Sequence, residues 1–191
     1  MTAPFALVHL DESCLGNGRE GDNPGGAGGL VERDEAGVIT RRDLALAAPA
    51  TTNNRMALEG AIAVLEALAA EGRHRLLVVS DSQYLVKGMT EWVPGWIRRG
   101  WRRQGGPIEN LALWQRLVDR ATLHEIEWTW VKGHAGHPKN EYVNDLAMAA
   151  AGSQQPSGGL IPSNFESWLA AKRAKGLYLA YDPDRRARAP A

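Results

Sequence analysis

At 191 residues, 44% hydrophobic and 23% charged, the chain has the make-up of one soluble globular domain with a short appendage. No run approaches the roughly 18 continuous apolar residues of a membrane span, and Pro4 and His9 interrupt the only apolar opening, which argues against a membrane or secreted protein. Lys+Arg and Asp+Glu both number 22, so net charge says nothing of partners, and a lone cysteine, Cys14, fits a reducing cytoplasm.

In chain order, residues 5–10 read as a short apolar strand ending at Asp11. The glycine-rich stretch 16–29 reads as a loop leading into a second strand over 29–33, and Gly37 turns the chain into a third over 39–46. Connections this short make an antiparallel meander. Asn53 or Asn54 can cap a helix that runs to about Glu71, with Leu58, Ile62 and Leu65 on one face, and Gly72 ends it. A buried strand over 76–80 stops at Asp81. Helical segments follow over 83–90, 92–99 and 108–120. Residues 125–131 alternate as a strand, and a last helix runs from Pro138 to about residue 151. The order βββαβαααβα defines an α/β domain, a mixed sheet flanked by helices. Residues 152–159, GSQQPSGG, read as a flexible linker, and 160–191 as a tail with aromatic anchors Phe165, Trp168, Tyr178 and Tyr181 and a basic end at Arg185, Arg186 and Arg188.

Asp11 and Asp81 each close an apolar strand. A charge there faces solvent or a ligand, because a strand interior cannot hold it unpaired. Two such carboxylates on neighbouring strands offer oxygen ligands to a hard cation, although turn capping accounts equally well for either alone. Arg98, Arg99, Arg102 and Arg103 crowd a stretch that also holds Trp92, Trp96 and Trp101. That is either a solvated helix end or the basic and aromatic footprint of a nucleic-acid contact.

Four strings tie these residues together: DESCLGN from Asp11, TTNNRM over 51–56, SDSQY over 80–84, and WVKGHAGHPKNE over 130–141 leading into NDLA at 144–147. In this order and spacing the chain resembles type 1 ribonuclease H over about residues 5–151. The resemblance implies a ribonuclease H-like five-stranded mixed sheet in a domain over 1–151. It also implies hydrolysis of the RNA strand of RNA–DNA hybrids, and two Mg²⁺ ions held by four carboxylates, with Mn²⁺ able to use the same oxygen ligands. The enzyme is expected to act as a cytoplasmic monomer.

Position by position, the resemblance makes Asp11 and Asp81 two of the four ligands. The third place, a Glu in the family, holds Ala57, and the fourth, an Asp, holds Asn144. Asn144 keeps an oxygen for a weak or water-mediated contact; Ala57 keeps nothing. Glu59 points about 200° away around the helix and Asp145 about 100°, so neither is an obvious substitute. The expectation is therefore a competent nuclease with an impaired site, or else a hybrid-binding module that no longer cleaves. Ala57 and Asn144 read as the changes that deliberately disable a nuclease, whereas Glu12, where the family usually has Gly, and the long glycine loop read as natural drift. His134 matches a mobile histidine that assists proton transfer or product release, and His137 reads as local structure. Asn17, Asn53, Asn54 and Gln83 match residues that contact the hybrid's minor groove, and Thr52 a DNA-phosphate residue. Residues 92–103 match the family's basic protrusion. There Trp92 and Trp96 would meet sugars or the handle's own base, and Arg98, Arg99, Arg102 and Arg103 would meet phosphates. Trp114, Trp128 and Trp130 are expected in the core.

Overall fold

The structure, a computed structural model, describes residues 3–16, 23–133 and 136–184. Strands β1 (Phe5–Cys14), β2 (Gly25–Glu35) and β3 (Val38–Ala48) form the expected antiparallel meander. Helix α1 (Asn53–Ala69) then crosses to β4 (Arg75–Ser80), which lies parallel to β1, and β5 (Glu125–Trp130) adds parallel to β4. Between β4 and β5 run α2 (Gln83–Lys87), a π-helical turn (Gly88–Trp92), α3 (Val93–Arg98) and α4 (Leu111–Ala121). Helix α5 (Pro138–Ser153) follows β5. Beyond it come a two-residue strand, β6 (Ile161–Pro162), and α6 (Phe165–Arg173). The sheet order is β5-β4-β1-β2-β3-β6. The expected five strands are present, and the tail supplies a sixth that pairs with the edge of β3.

Alternation along β1 divides the core. Ala6, Val8 and Leu10 face one way and are buried with Leu58, Ile62 and Leu65 of α1 and with Trp114 of α4. Leu7, His9 and Asp11 face α5 on the other side. The α1 cap is Thr52, whose side chain accepts from the Arg55 N–H at 3.3 Å, one residue earlier than the asparagines expected from sequence.

The second strand begins at Gly25, inside the expected glycine loop. Its glycines lie under a helix. A Cβ at Gly26 would stand 2.3 Å from the Ala147 carbonyl oxygen, and one at Gly28 would stand 2.2 Å from that of Val143. Only glycine lets the α5 backbone come this close to the sheet, which explains a strand built from residues of poor strand propensity.

Of residues 152–159, expected as a flexible linker, the first two end α5 and the rest run along β3. The Ser157 N–H donates to Ala45 O at 2.9 Å, and the Ala45 N–H donates to Ser157 Oγ at 3.0 Å. The tail then packs Phe165 and Leu169 against Leu30, Tyr142 and Val143 in a second buried cluster. Trp114 is fully buried as expected. Trp128 is half-buried, but Trp130 is 44% exposed because β5 is an edge strand and carries few covering side chains.

Candidate active site at the ends of the central strands

Cross-strand register carries Asp11 and Asp81 to the same end of the sheet. Leu10 pairs with Ser80, so each aspartate is the next residue on its own chain. Asp11 pairs with Gly28, which faces α5, and is buried at 7% exposure. Its pKa is pushed up to about 7, chiefly by burial and then by the neighbouring charge of Asp81, while a hydrogen bond from the Glu12 N–H at 2.7 Å acts the other way.

Asp81 is held from three directions. Its Oδ2 accepts from Asn140 Nδ2 at 3.4 Å, and its backbone carbonyl accepts from Trp130 Nε1 at 3.0 Å. Gly133 backs onto it so closely that a Cβ there would lie 2.3 Å from Asp81 Oδ2. Asn140 itself is buried, and its Oδ1 has no hydrogen-bond partner among the described residues.

Glu12, which sequence reading set aside as drift, belongs to this cluster. It pairs with Ala27, whose Cβ faces Gly60 of α1, so it continues the Ala6–Val8–Leu10 row toward α1. Its carboxyl accepts a hydrogen bond from Ser82. Burial first, then the charges of Asp11 and Asp81, push its pKa up to about 8. The adjacency of two acids at a strand end was the signal available in the sequence. Ala57, on the α1 face that this row meets, is 4% exposed and packed in the core.

Among the described residues, none of Asp11, Glu12 and Asp81 has an ion pair with Lys, Arg or His. No three His, Cys, Asp or Glu side chains among the described residues are arranged to hold a metal ion as they stand. The donor set nonetheless fits a hard cation: three carboxyls, two of which burial first and then mutual repulsion keep protonated near neutrality. Asn144 lies half-buried one helical turn beyond Asn140.

The expected substrate residues flank this end. Thr52, Asn53 and Asn54 sit at the start of α1, where Asn53 Oδ1 is buried without a hydrogen-bond partner among the described residues. Gln83 is exposed at the start of α2. Arg98, Arg99, Arg102 and Arg103 are all exposed on one handle-like excursion of the chain. Trp92 keeps part of its surface, but Trp96 is buried at 7% exposure with its ring 5.7 Å from that of Trp114, so it supports the handle from inside. Tyr84, Trp92, Trp96, Arg103, Ile108 and Glu109 line a cavity of about 260 Å³ at its base. Asn17 and His134 lie outside the described residues, as do Arg185, Arg186 and Arg188.

A mixed open sheet with helices on its faces and acids at its central strand ends defines an α/β class of protein. The family model "RNase H" matches residues 5–152. A ribonuclease H of Xanthomonas campestris pv. campestris is 45% identical over 82% of this chain and 97% of its own length. One from a Ruegeria species is 41% identical over 81% and 96%. Among solved structures, LC9-RNase H1, described as a type 1 RNase H with the type 2 active-site motif, is 50% identical with a TM-score of 0.86. That match covers 100% of this chain and 94% of the other. LC11-RNase H1, solved in complex with RNA/DNA hybrid, shares the fold at 19% identity and a TM-score of 0.57. The chain belongs to the ribonuclease H family and is a hydrolase.

Proposed function

We propose that this chain hydrolyses the RNA strand of RNA–DNA hybrids with divalent cations, Mg²⁺ first, held by Asp11, Glu12 and Asp81 and by the neutral oxygen of Asn144. The observation that carries this reading is the gathering of three carboxyls at one sheet end with no basic partner among the described residues. When bound, the cations supply an activated water and offset the charge of the leaving oxygen. The protein's part is to present ionised oxygens and to hold Asp81 in place through Asn140, Trp130 and Gly133. His134 is proposed to move a proton near neutral pH, as an ordinary imidazole can.

Asn17, Asn53, Asn54 and Gln83 are proposed to read minor-groove edges and 2′-hydroxyls, with Thr52 and the four handle arginines on phosphates. The expectation of an impaired site rested on Ala57. With Glu12 supplied from β1 instead, one carboxylate of four is replaced, by Asn144, and we propose a functioning nuclease. No helix among the described residues is long and apolar enough to cross a membrane, and we propose a cytoplasmic, monomeric enzyme.

The second reading, a hybrid-binding module that does not cleave, draws on Ala57 and Asn144. A hybrid labelled on either strand separates the two. The nuclease cuts the RNA strand in Mg²⁺, leaves the DNA strand intact, and loses activity as Asp81→Asn. Binding without cleavage, unchanged by Ala57→Glu with Asn144→Asp, would establish the module instead.

A further inference from the structure

The family match ends at residue 152, yet the segment beyond it is docked on the helix that serves the site. Over Gly26 and Gly28, helix α5 meets the sheet through bare backbone. Val143 and Ala147 present carbonyl oxygens to Gly28 and Gly26, and that part of the contact by itself does little to fix the helix's rotation about its own axis. Polar anchors come from the sheet, where Lys139 Nζ lies 2.7 Å from Glu32 Oε2, and from the tail. Tyr178 Oη donates to Glu141, and Trp168 Nε1 donates to Asp145 Oδ2 at 2.7 Å, with Lys172 Nζ 3.5 Å from the same oxygen. Tyr142 Oη donates to Asp43, whose Oδ2 also accepts from the Asn164 N–H at 3.0 Å.

The spacing gives these contacts their meaning. Asn140 and Asn144 share one face of α5, and Glu141 and Asp145 share the face about 100° around it. A grip on the second pair therefore sets the angle at which Asn140 meets Asp81 and the direction in which Asn144 is carried. The grip is itself stiff. Tyr142, Phe165, Trp168 and Tyr178 form a row of rings with successive centroids 5.2, 5.9 and 5.9 Å apart, and Tyr181 packs edge-on against His137 at the start of α5.

We propose that the C-terminal segment is a positioning brace for the reaction, in which Trp168 and Tyr178 hold the acidic side of α5 and so hold Asn140 and Asn144 toward Asp81. The brace rests on the reading of Asp11, Glu12 and Asp81 as the cation site. Trp168 and Tyr178 touch neither substrate nor cation. They act through α5.

The test uses the full chain with Trp168→Phe and Tyr178→Phe together, which keep the rings and remove only the two polar grips, and Asp145→Ala, which removes the acceptor, as an independent break from the helix side. Ser157→Ala is the control, since it loosens the tail from β3 without touching α5. The readouts are the Mg²⁺ concentration at half-maximal thermal shift, amide exchange along 140–153, and kcat and KM on a hybrid at 25 °C. The expected result is a half-saturation raised about 10-fold and a kcat lowered about 10-fold. Exchange in α5 rises and hybrid KM stays put, while Ser157→Ala lowers Tm alone. A lowered Tm in the double variant with Mg²⁺ half-saturation and kcat unmoved overturns the brace, as does an equal kinetic loss in Ser157→Ala. A parent protein with no Mg²⁺-dependent shift at all overturns the site reading and the brace with it.

Discussion

Replacing Glu12 is the sharpest test of how this site is built. Glu12→Gln preserves length and leaves an oxygen to accept from Ser82, so the local packing survives and only ionisation is lost. One of three carboxylates at the strand ends disappears. Electrostatic groups that act on developing charge are each worth about 10²–10³-fold, or about 2.7–4 kcal/mol, and the loss in single-turnover cleavage should fall in that range. The metal-free protein should move in the opposite direction. Burial and the charges of Asp11 and Asp81 disfavour the Glu12 carboxylate, so above pH 8, where it is ionised, its removal raises Tm. Adding Ala57→Glu to Glu12→Gln returns a carboxylate from α1. Position 57 is 4% exposed and already packed, so overpacking of about 1–3 kcal/mol accompanies it and recovery should stop near 10-fold. Cleavage by Glu12→Gln within threefold of the parent would refute the assignment, because a bystander would be free to lose its charge.

Three further outcomes follow from the same residues. Asp11 and Glu12 have folded-state pKa values of about 7 and about 8, above the unfolded values of 3.8 and 4.5, so the folded state retains protons that the unfolded state releases. Their contribution to stability therefore falls as pH rises from about 4 to 8, and Mg²⁺, which needs them ionised, should raise Tm more at pH 8.5 than at pH 5.5 in differential scanning fluorimetry; an equal shift at both values would contradict it. Changing Arg98, Arg99, Arg102 and Arg103 to Ala should weaken hybrid binding and lower the salt slope by about 0.9 for each phosphate that is no longer neutralised, with kcat at saturation unchanged; fluorescence anisotropy across a salt series measures it. Gly28→Ala, whose Cβ would stand 2.2 Å from the Val143 carbonyl oxygen, should cost about 3 kcal/mol in urea unfolding and lower kcat by shifting α5.

The order of elements was legible because its signals are local. An apolar run stopping at Asp11 or Asp81, a 3.6-residue period over 56–68 and a turn at Gly37 each reflect a residue's immediate neighbours. Features set at a distance were less legible. Nothing near Gly25–Gly29 announces that α5 will lie on it, so a strand of glycines reads as a loop until the Val143 and Ala147 carbonyls are placed. The GSQQPSGG stretch reads as flexible by composition, but Ser157 finds both the N–H and the carbonyl of Ala45 on the open edge of β3. Trp96 illustrates the reverse. Its basic neighbours suggested a ligand, yet Trp114, eighteen positions on, takes its ring into the core.

The site was half legible for a related reason. Reading the strings position by position asks which residue occupies each place, and at 57 and 144 the answers were Ala and Asn. It does not ask which other residue can deliver a carboxylate to the same point. Position 12 precedes the glycine-rich loop on β1, and position 57 lies on α1, yet the Ala6–Val8–Leu10–Glu12 row and the buried face of α1 meet across one core layer. In the resembling family that layer holds a Gly on the strand and a Glu on the helix; here it holds Glu12 on the strand and Ala57 on the helix. On our reading the two departures are reciprocal. Large and small have traded sides and charge is conserved, so the exchange leaves packing intact where either change alone would crowd or empty it. The combination Glu12→Gly with Ala57→Glu is therefore expected to cleave better than Glu12→Gly alone and to fold better than Ala57→Glu alone. Additive losses in both activity and Tm would mean that the two positions do not share a layer.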